Sequence, residues 1–429
     1  MEIHVVQEGD TLESIAEKYG VLKERIILDN GLVEPYKLLI GQALVITHPV
    51  QSHVVKEGDT LQSIADMYNI TMFQILKNNP FLVGRKYIFP GETLVISYNT
   101  VKDIMTTGFT YPFIDRETLI KTLPDLTYIS IINYTSTQSG GIRSYQDDSE
   151  IIATAKEYGT IPLLFLTTLT PQGISDPETA YEILLNEKFQ DANLEAFVNI
   201  MKSKGYLGVN IMYNYLNKDS EILYQKFTQK ISDRLIQEGL LFFISINYLE
   251  NKEDDTVSYD PINYGALSEN ANGLIFLKFK WGTNNGPPEP VSNISNIKLL
   301  MEYVTSMAAP DKIIIGIPVI GYDWKLPYVP DQTSASALAI NSVMDLAYEV
   351  DATIQFDEVS QTPFFYYNQF NFDYPFQHIV WFIDARSIKG ICDLIIDEQL
   401  NGSAIWNIMI YNPQVWTVIN ATFNVIKLI

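Results

Sequence analysis

Two turns of this sequence carry groups that could meet a ligand. Gly9-Asp10-Thr11-Leu12 and Gly58-Asp59-Thr60-Leu61 each place a glycine, a carboxylate and a hydroxyl ahead of a helical pattern. Backbone amides exposed at such turns donate hydrogen bonds to a neutral ligand, while small apolar side chains beside them cover its methyl groups. The same residue types also serve turn and helix-capping geometry, so the turns alone leave both readings open. Groups for acid, base or metal chemistry are sparse. Four histidines and a single cysteine, Cys392, form no cluster with zinc-ligand spacing, so no internal disulfide, metal or other cofactor is expected. Asp323 and Asp384 are the carboxylates best placed near the ends of later apolar runs.

The rest of the composition narrows the ligand class. A formal net charge of -22 opposes nucleic acid and acidic membrane surfaces, because each phosphate contact needs a cation that is scarce here. A neutral ligand is expected, with no nucleic acid and no membrane as partner. Hydrophobic residues at 47% and aromatic residues at 12% are enough for large cores, and 429 residues are too many for one ordinary domain. The start, Met1-Glu2-Ile3-His4, shows no basic stretch followed by an apolar run, and no segment reaches about 18 uninterrupted apolar residues. The expectation is a protein made in the cytoplasm without a signal peptide. It would then meet a wall only by lysis, by an unconventional route, or in a compartment formed inside the mother cell.

An internal repeat organises the first hundred residues. The run His4-Val-Val-Gln-Glu-Gly-Asp-Thr-Leu-Glu-Ser-Ile-Ala-Glu-Lys-Tyr19 recurs from His53 to Tyr68, identical at all but four positions. Each copy reads as a short strand, a capped helix, a second helix near Lys23 to Leu28 or Met72 to Leu76, and a closing strand at Ala43 to Ile46 or Thr93 to Ile96. That βααβ order with the xVxxGDTLxxIA signature resembles the LysM module, whose members bind chains of N-acetylglucosamine in chitin and peptidoglycan. The resemblance implies modules at 1–48 and 50–98. It places the sugar between the loop after the first strand and the loop before the last: Gly9, Asp10, Thr11 and Leu12 with Asn30 and Gly31, and Gly58, Asp59, Thr60 and Leu61 with Asn79 and Pro80. Two such sites on one polymer would reinforce each other through effective concentration.

From residue 100 to 429 the pattern changes to apolar runs alternating with amphipathic stretches. Eight candidate buried strands lie at Ile104–Phe109, Leu126–Tyr134, Thr160–Leu169, Tyr206–Tyr215, Leu240–Leu249, Gly273–Trp281, Ile313–Trp324 and Ala404–Tyr411. Stretches such as Asn193–Lys204, Ser220–Glu238, Val291–Met307 and Ser387–Glu398 supply the crossover helices. The predicted fold is α/β, a (β/α)8 TIM barrel, with an α+β insertion at about 326–380 between its seventh and eighth strands.

In such a barrel the chemistry sits at the C-terminal ends of the strands. Gly205-Tyr-Leu-Gly-Val-Asn-Ile-Met-Tyr-Asn-Tyr215 resembles the fourth-strand signature of the family-18 glycoside hydrolases, written DGxxxDxDxE or DGVNIDFEY. Gly273–Trp281, Ile313–Trp324, Val380–Ser387 and Gly402–Trp406 agree with it. With the LysM pair ahead of it, the chain is similar to the cortex-lytic N-acetylglucosaminidases of spore-forming bacteria.

The resemblance implies substrate-assisted hydrolysis, in which the acetamido oxygen of the sugar attacks its own anomeric carbon. It asks for a Glu to protonate the leaving oxygen, an Asp two residues earlier to orient the acetamide, and a Tyr on the sixth strand to bond it. Here the Glu position is Asn214, the assisting Asp position is Met212, the leading Asp is Leu207 and the Tyr is Phe279, followed by Lys280. An amide has no usable proton, so general acid catalysis worth about 10² to 10⁴ in rate is lost. A thioether cannot balance developing positive charge. The barrel is therefore expected to lack an intact catalytic set while keeping sugar-stacking aromatics: Trp406 as a floor, with Trp281, Tyr111 and Tyr322 at other strand ends. The leading expectation is a non-catalytic protein binding an N-acetylglucosamine glycan, peptidoglycan or chitin-like, in a cell wall or spore cortex or coat. The alternatives are a weak or atypical N-acetylglucosaminidase acting on cortex, and a structural component whose barrel contacts spore coat proteins.

Overall fold

The computed structural model describes all residues except 170–172, 175, 214–216, 249–250, 254–255, 279–284 and 372–373. In the first module the strand Glu2–Val5 pairs antiparallel with Ala43–Ile46. Helices Leu12–Tyr19 and Lys23–Asn30 lie between them. The second module repeats the plan with Gln51–Val54, Leu61–Tyr68, Met72–Asn78 and Thr93–Ser97. Helices of seven or eight residues are too short to stand alone and depend on packing. Each has an apolar seam for it: Leu12, Ile15 and Ile26 meet Leu44 and Ile46, and Ile64 and Ile75 meet Leu94 and Ile96. Thr11 and Ser14 close a reciprocal cap with two bonds of 3.0 Å, and Thr60 with Ser63 does the same.

All eight predicted barrel strands are present, as Lys102–Thr110, Tyr128–Ser136, Ile161–Thr167, Gly208–Met212, Leu241–Asn247, Gly273–Leu277, Ile313–Pro318 and Gly402–Trp406. Each pairs in parallel with the next, and the eighth closes on the first. One apolar cluster takes side chains from every strand, among them Phe109, Tyr128, Phe165, Met212, Phe243, Leu277, Ile314 and Trp406. It fills the barrel's interior, as expected for strands whose alternate residues point inward.

The insertion differs from its predicted extent. The run Ile313–Trp324 is two strands in two sheets. The first ends at Pro318, which has no N–H to continue a ladder. The second, Gly321–Lys325, belongs to a five-stranded antiparallel sheet with Ser336–Leu338, Gln355–Asp357, Thr362–Asn371 and Tyr374–Trp381. Helix Ile340–Glu349 packs Val343 and Ala347 against that sheet's Phe365 and Val380. No helix among the described residues is long and apolar enough to cross a membrane.

Candidate functional site

The fourth strand brings Met212 to the C-terminal face of the barrel, and its side chain is fully buried in the interior cluster with Phe109, Phe165, Leu277 and Trp406. Leu207 sits at the opposite end of that strand, half-buried, its N–H bonded to Pro162 O at 3.0 Å. Asn214, Phe279, Lys280 and Trp281 lie outside the described residues. Trp406 ends the eighth strand, but only 6% of it is exposed, and it meets Phe109 edge to face with centroids 5.5 Å apart. The crevice beside it, between Lys278, Val291, Pro318, Ile320 and Tyr322, holds about 10 Å³. That is at the lower limit for one water molecule. Tyr322 is likewise 2% exposed, and its hydroxyl has no hydrogen-bond partner among the described residues. Trp406 is thus packed among the barrel-filling side chains and Tyr322 among those of the insertion sheet.

An open aromatic cavity does exist, displaced toward the first three strands. Tyr111 and Phe113 follow the first strand and stack with centroids 5.2 Å apart at 21°. With Tyr145, Ile132, Thr135 and Leu169 they border a cavity of about 350 Å³. That volume lies in the range of small-ligand sites, and its aromatic lining suits the apolar face of a pyranose. Burial raises the Tyr111 hydroxyl well above its ordinary value, which keeps it neutral. Asn133, in the wall, accepts from the N–H groups of Tyr145 and Gln146 at 3.2 and 3.0 Å, so it fixes the loop that carries Tyr145. Its amide nitrogen donates to Asp148 at 3.0 Å, and the hydroxyls of Tyr134 and Tyr206 donate to the same oxygen at 2.5 and 2.7 Å. Burial raises this carboxyl's pKa, but the three donors together with the Lys204 ammonium 3.1 Å from its other oxygen outweigh it and hold Asp148 below its ordinary value. Phe113 and Tyr145 were missed from sequence; the proline-flanked aromatics Tyr111-Pro112-Phe113 were the available signal for the first of them.

The two carboxylates that sequence had singled out are engaged elsewhere. Asp323 lies in the insertion sheet, accepting from Tyr367 at 2.7 Å and meeting His378 Nδ1 at 2.9 Å. Asp384 caps helix Ala385–Asp397 through the Arg386 N–H and binds the Arg386 guanidinium at 2.7 and 3.0 Å. Neither borders the aromatic cavity. Among the described residues no group of histidine, cysteine and carboxylate side chains is arranged to hold a metal ion.

In the modules the predicted loops divide into exposed and internal residues. Asp10 accepts from the Gln7 N–H at 2.7 Å and meets His4 Nε2 at 3.0 Å, while His4 Nδ1 lies 3.2 Å from the Tyr19 hydroxyl. His53, Asp59, Lys56 and Tyr68 repeat this at 2.8, 2.8 and 3.1 Å. The Gln7 amide holds the Asp10 carboxyl below its ordinary value, and His53 does so for Asp59. Asn30 and Asn79 require correction as ligand contacts. Both side chains are buried, Asn30 bonding Ile26 O and Val45, and Asn79 bonding Ile75 O and Val95. Leu12 is core as well. Gly9, Thr11, Gly58 and Thr60 stay at the surface, and Pro80 is half-buried. Gly31 is exposed too, although an added Cβ there would lie 2.7 Å from Cγ of Pro413, at the start of helix Pro413–Thr422.

Comparison with known proteins agrees with this architecture. A family model described as Glycosyl hydrolases family 18 matches residues 173–409, and the LysM domain matches 4–47 and 53–97. The chain is similar to the cortical fragment-lytic enzyme of Bacillus subtilis (strain 168), 30% identical over 434 residues that cover 100% of this chain and 99% of that protein. The crystal structure of the spore cortex-lytic enzyme SleL of Bacillus megaterium matches with a TM-score of 0.80 at 29% identity, covering 100% of this chain and 99% of that one. The SleL structure from Bacillus cereus matches at 0.77 with 25% identity and 99% coverage of both chains.

Proposed function

Because the chain belongs to the glycosyl hydrolases of family 18 and carries two LysM domains ahead of its barrel, we propose that it binds an N-acetylglucosamine glycan of the spore cortex or cell wall without cleaving it. The observation that carries this reading is Met212. At the position where the family resemblance asks for the acetamide-orienting Asp, a thioether is buried against Phe109 and Trp406. A buried apolar side chain there removes the charge that would stabilise an oxazolinium, and Asn214 removes the proton for the leaving group. Affinity would come from the module loops and from the stacked Tyr111 and Phe113. Incubating the full chain at high concentration with cortex peptidoglycan and with chito-oligosaccharides tests this: co-sedimentation without new reducing ends is the expected result.

The full-length likeness to cortical fragment-lytic enzymes favours a second reading, a weak N-acetylglucosaminidase. Reducing ends released by wild type and lost in a variant of a cleft residue would establish that reading and overturn the first.

A further inference from the structure

The two modules share one framework but meet different surroundings. Leu39 and Phe89 hold the same station in it. The N–H of Leu39 donates to the Gln42 side chain at 3.0 Å, and that of Phe89 to the Glu92 side chain at 2.8 Å. Two residues on, Gly41 N–H bonds Val6 O, and Gly91 N–H bonds Val55 O, both at 2.9 Å. This pairing ties the loop before the last strand to the segment leading into the Gly9 or Gly58 turn.

In the first module that loop is occupied by the barrel's insertion. Leu39 is 2% exposed and packs with Val343, Ile354, Phe365 and Phe382. Ile354 N–H donates to Ile40 O at 2.9 Å, and Gln42 Nε2 to the Tyr348 hydroxyl at 2.9 Å. Lys37 Nζ bonds Tyr348 O at 3.1 Å and pairs with Asp351 at 2.8 Å. In the second module the same loop is open: Phe89 is 58% and Tyr87 63% exposed, and Lys86 Nζ lies over the Tyr87 ring at 5.4 Å. Charge separates the modules too. Residues 1–48 hold eight acidic against four basic side chains, whereas 50–98 hold four of each, in a chain of net charge -22.

We infer that the second module, through Tyr87 and Phe89 in the loop that Gly91 ties to the segment before the Gly58 turn, is the LysM site that takes the N-acetylglucosamine glycan, and that the first module is a structural bracket between insertion and barrel. The inference rests on the reading that this protein binds such a glycan. Its chemistry is aromatic stacking on pyranose faces next to exposed turn amides, on a surface whose balanced charge does not repel carboxylates of a wall polymer. Avidity between the two modules, expected from the repeat, is then absent.

The test uses the full chain with chitohexaose in calorimetry and cortex peptidoglycan in sedimentation. Tyr87→Ala/Phe89→Ala is expected to weaken binding about tenfold or more, while Lys37→Ala/Ile40→Ala changes it less than about twofold. Hydrogen exchange on wild type gives a second measure that needs no variant: the hexamer should protect 84–92 and leave 37–42 unchanged. Retained binding by the Tyr87/Phe89 variant when Tyr111→Ala/Phe113→Ala has also removed the barrel's stacked pair, or protection at 37–42, overturns the inference while leaving glycan binding intact. A wild type that binds neither probe overturns the functional reading itself and the inference with it.

Discussion

Asn79 and Val95 bind each other twice, the Val95 N–H donating to Asn79 Oδ1 at 2.8 Å and Asn79 Nδ2 donating to Val95 O at 2.7 Å. A third bond from Nδ2 to Ile75 O ties the end of the second helix to the closing strand of the module. Replacing Asn79 with Ala leaves these backbone groups buried without partners, at a cost of about 2 to 4 kcal/mol. The expected outcome is a loss of hydrogen-exchange protection at the Val95 amide. An unchanged Val95 exchange rate would mean that the bond network contributes little.

The barrel interior makes a complementary prediction. Met212→Asp would bury a carboxylate among Phe109, Phe165 and Leu277 and destabilise the fold by several kcal/mol near neutral pH. Burial would raise that carboxyl's pKa above its unfolded value. The loss should therefore be large above the raised value and shrink as pH falls and the group takes up its proton. Thermal melts across pH 4 to 8 check this. Asn214→Glu alone is expected to release no reducing ends, since a general acid without the assisting carboxylate leaves the oxazolinium unsupported.

Much of this architecture is legible in sequence for physical reasons. Parallel barrel strands are buried on both faces and so read as continuous apolar runs. The same property hid the start of the insertion, because Ile313 to Trp324 passes from one sheet to another without a polar break. Asn30 and Asn79 read as turn residues after helices. Their burial comes from a strand fifteen or sixteen residues on, which local pattern does not reveal. Leu39 and Phe89 are both apolar, so only the insertion's packing separates a buried bracket from an open loop. The aromatic cavity joins Phe113 and Tyr145 from two different loops, a proximity set by the barrel's closure.

Gly41 gives a direct handle on the bracket. It adopts φ +83°, and an added Cβ would lie 1.8 Å from Ile354 O. Gly41→Ala must move the insertion away or distort the loop, at a cost of about 2 to 4 kcal/mol. Faster exchange of the Ile354 amide, whose bond to Ile40 O would loosen, is the expected readout. Glycan affinity should stay at the wild-type level, since the second module is untouched.

Asp125 supplies a pH dependence. It is fully buried between the barrel and the second module, where Asn420 Nδ2 donates to Oδ1 at 2.6 Å while Oδ2 has no partner among the described residues. Lys77 and Lys427 are the cations beside it. Burial pushes the carboxyl from 3.8 up to about 7, against the pull of Asn420 and the two lysines. The folded state thus holds a proton that the unfolded state releases near 3.8, so this group's contribution to stability falls as pH rises from about 4 to 7. Burial lowers Lys427 from 10.5 to about 7, so the unfolded state binds the extra proton above 7 and that contribution rises with pH. Asp125→Asn keeps the acceptor for Asn420 and removes the acid, together with the upward pull it exerts on Lys77 and Lys427. The variant should melt close to wild type at pH 4 and progressively above it up to pH 7.5, by a few degrees there, because wild type must keep a proton that its unfolded chain has released. A melting difference that stays constant from pH 5 to 7.5 would mean that Asp125 is ionised throughout, stabilised by the two lysines.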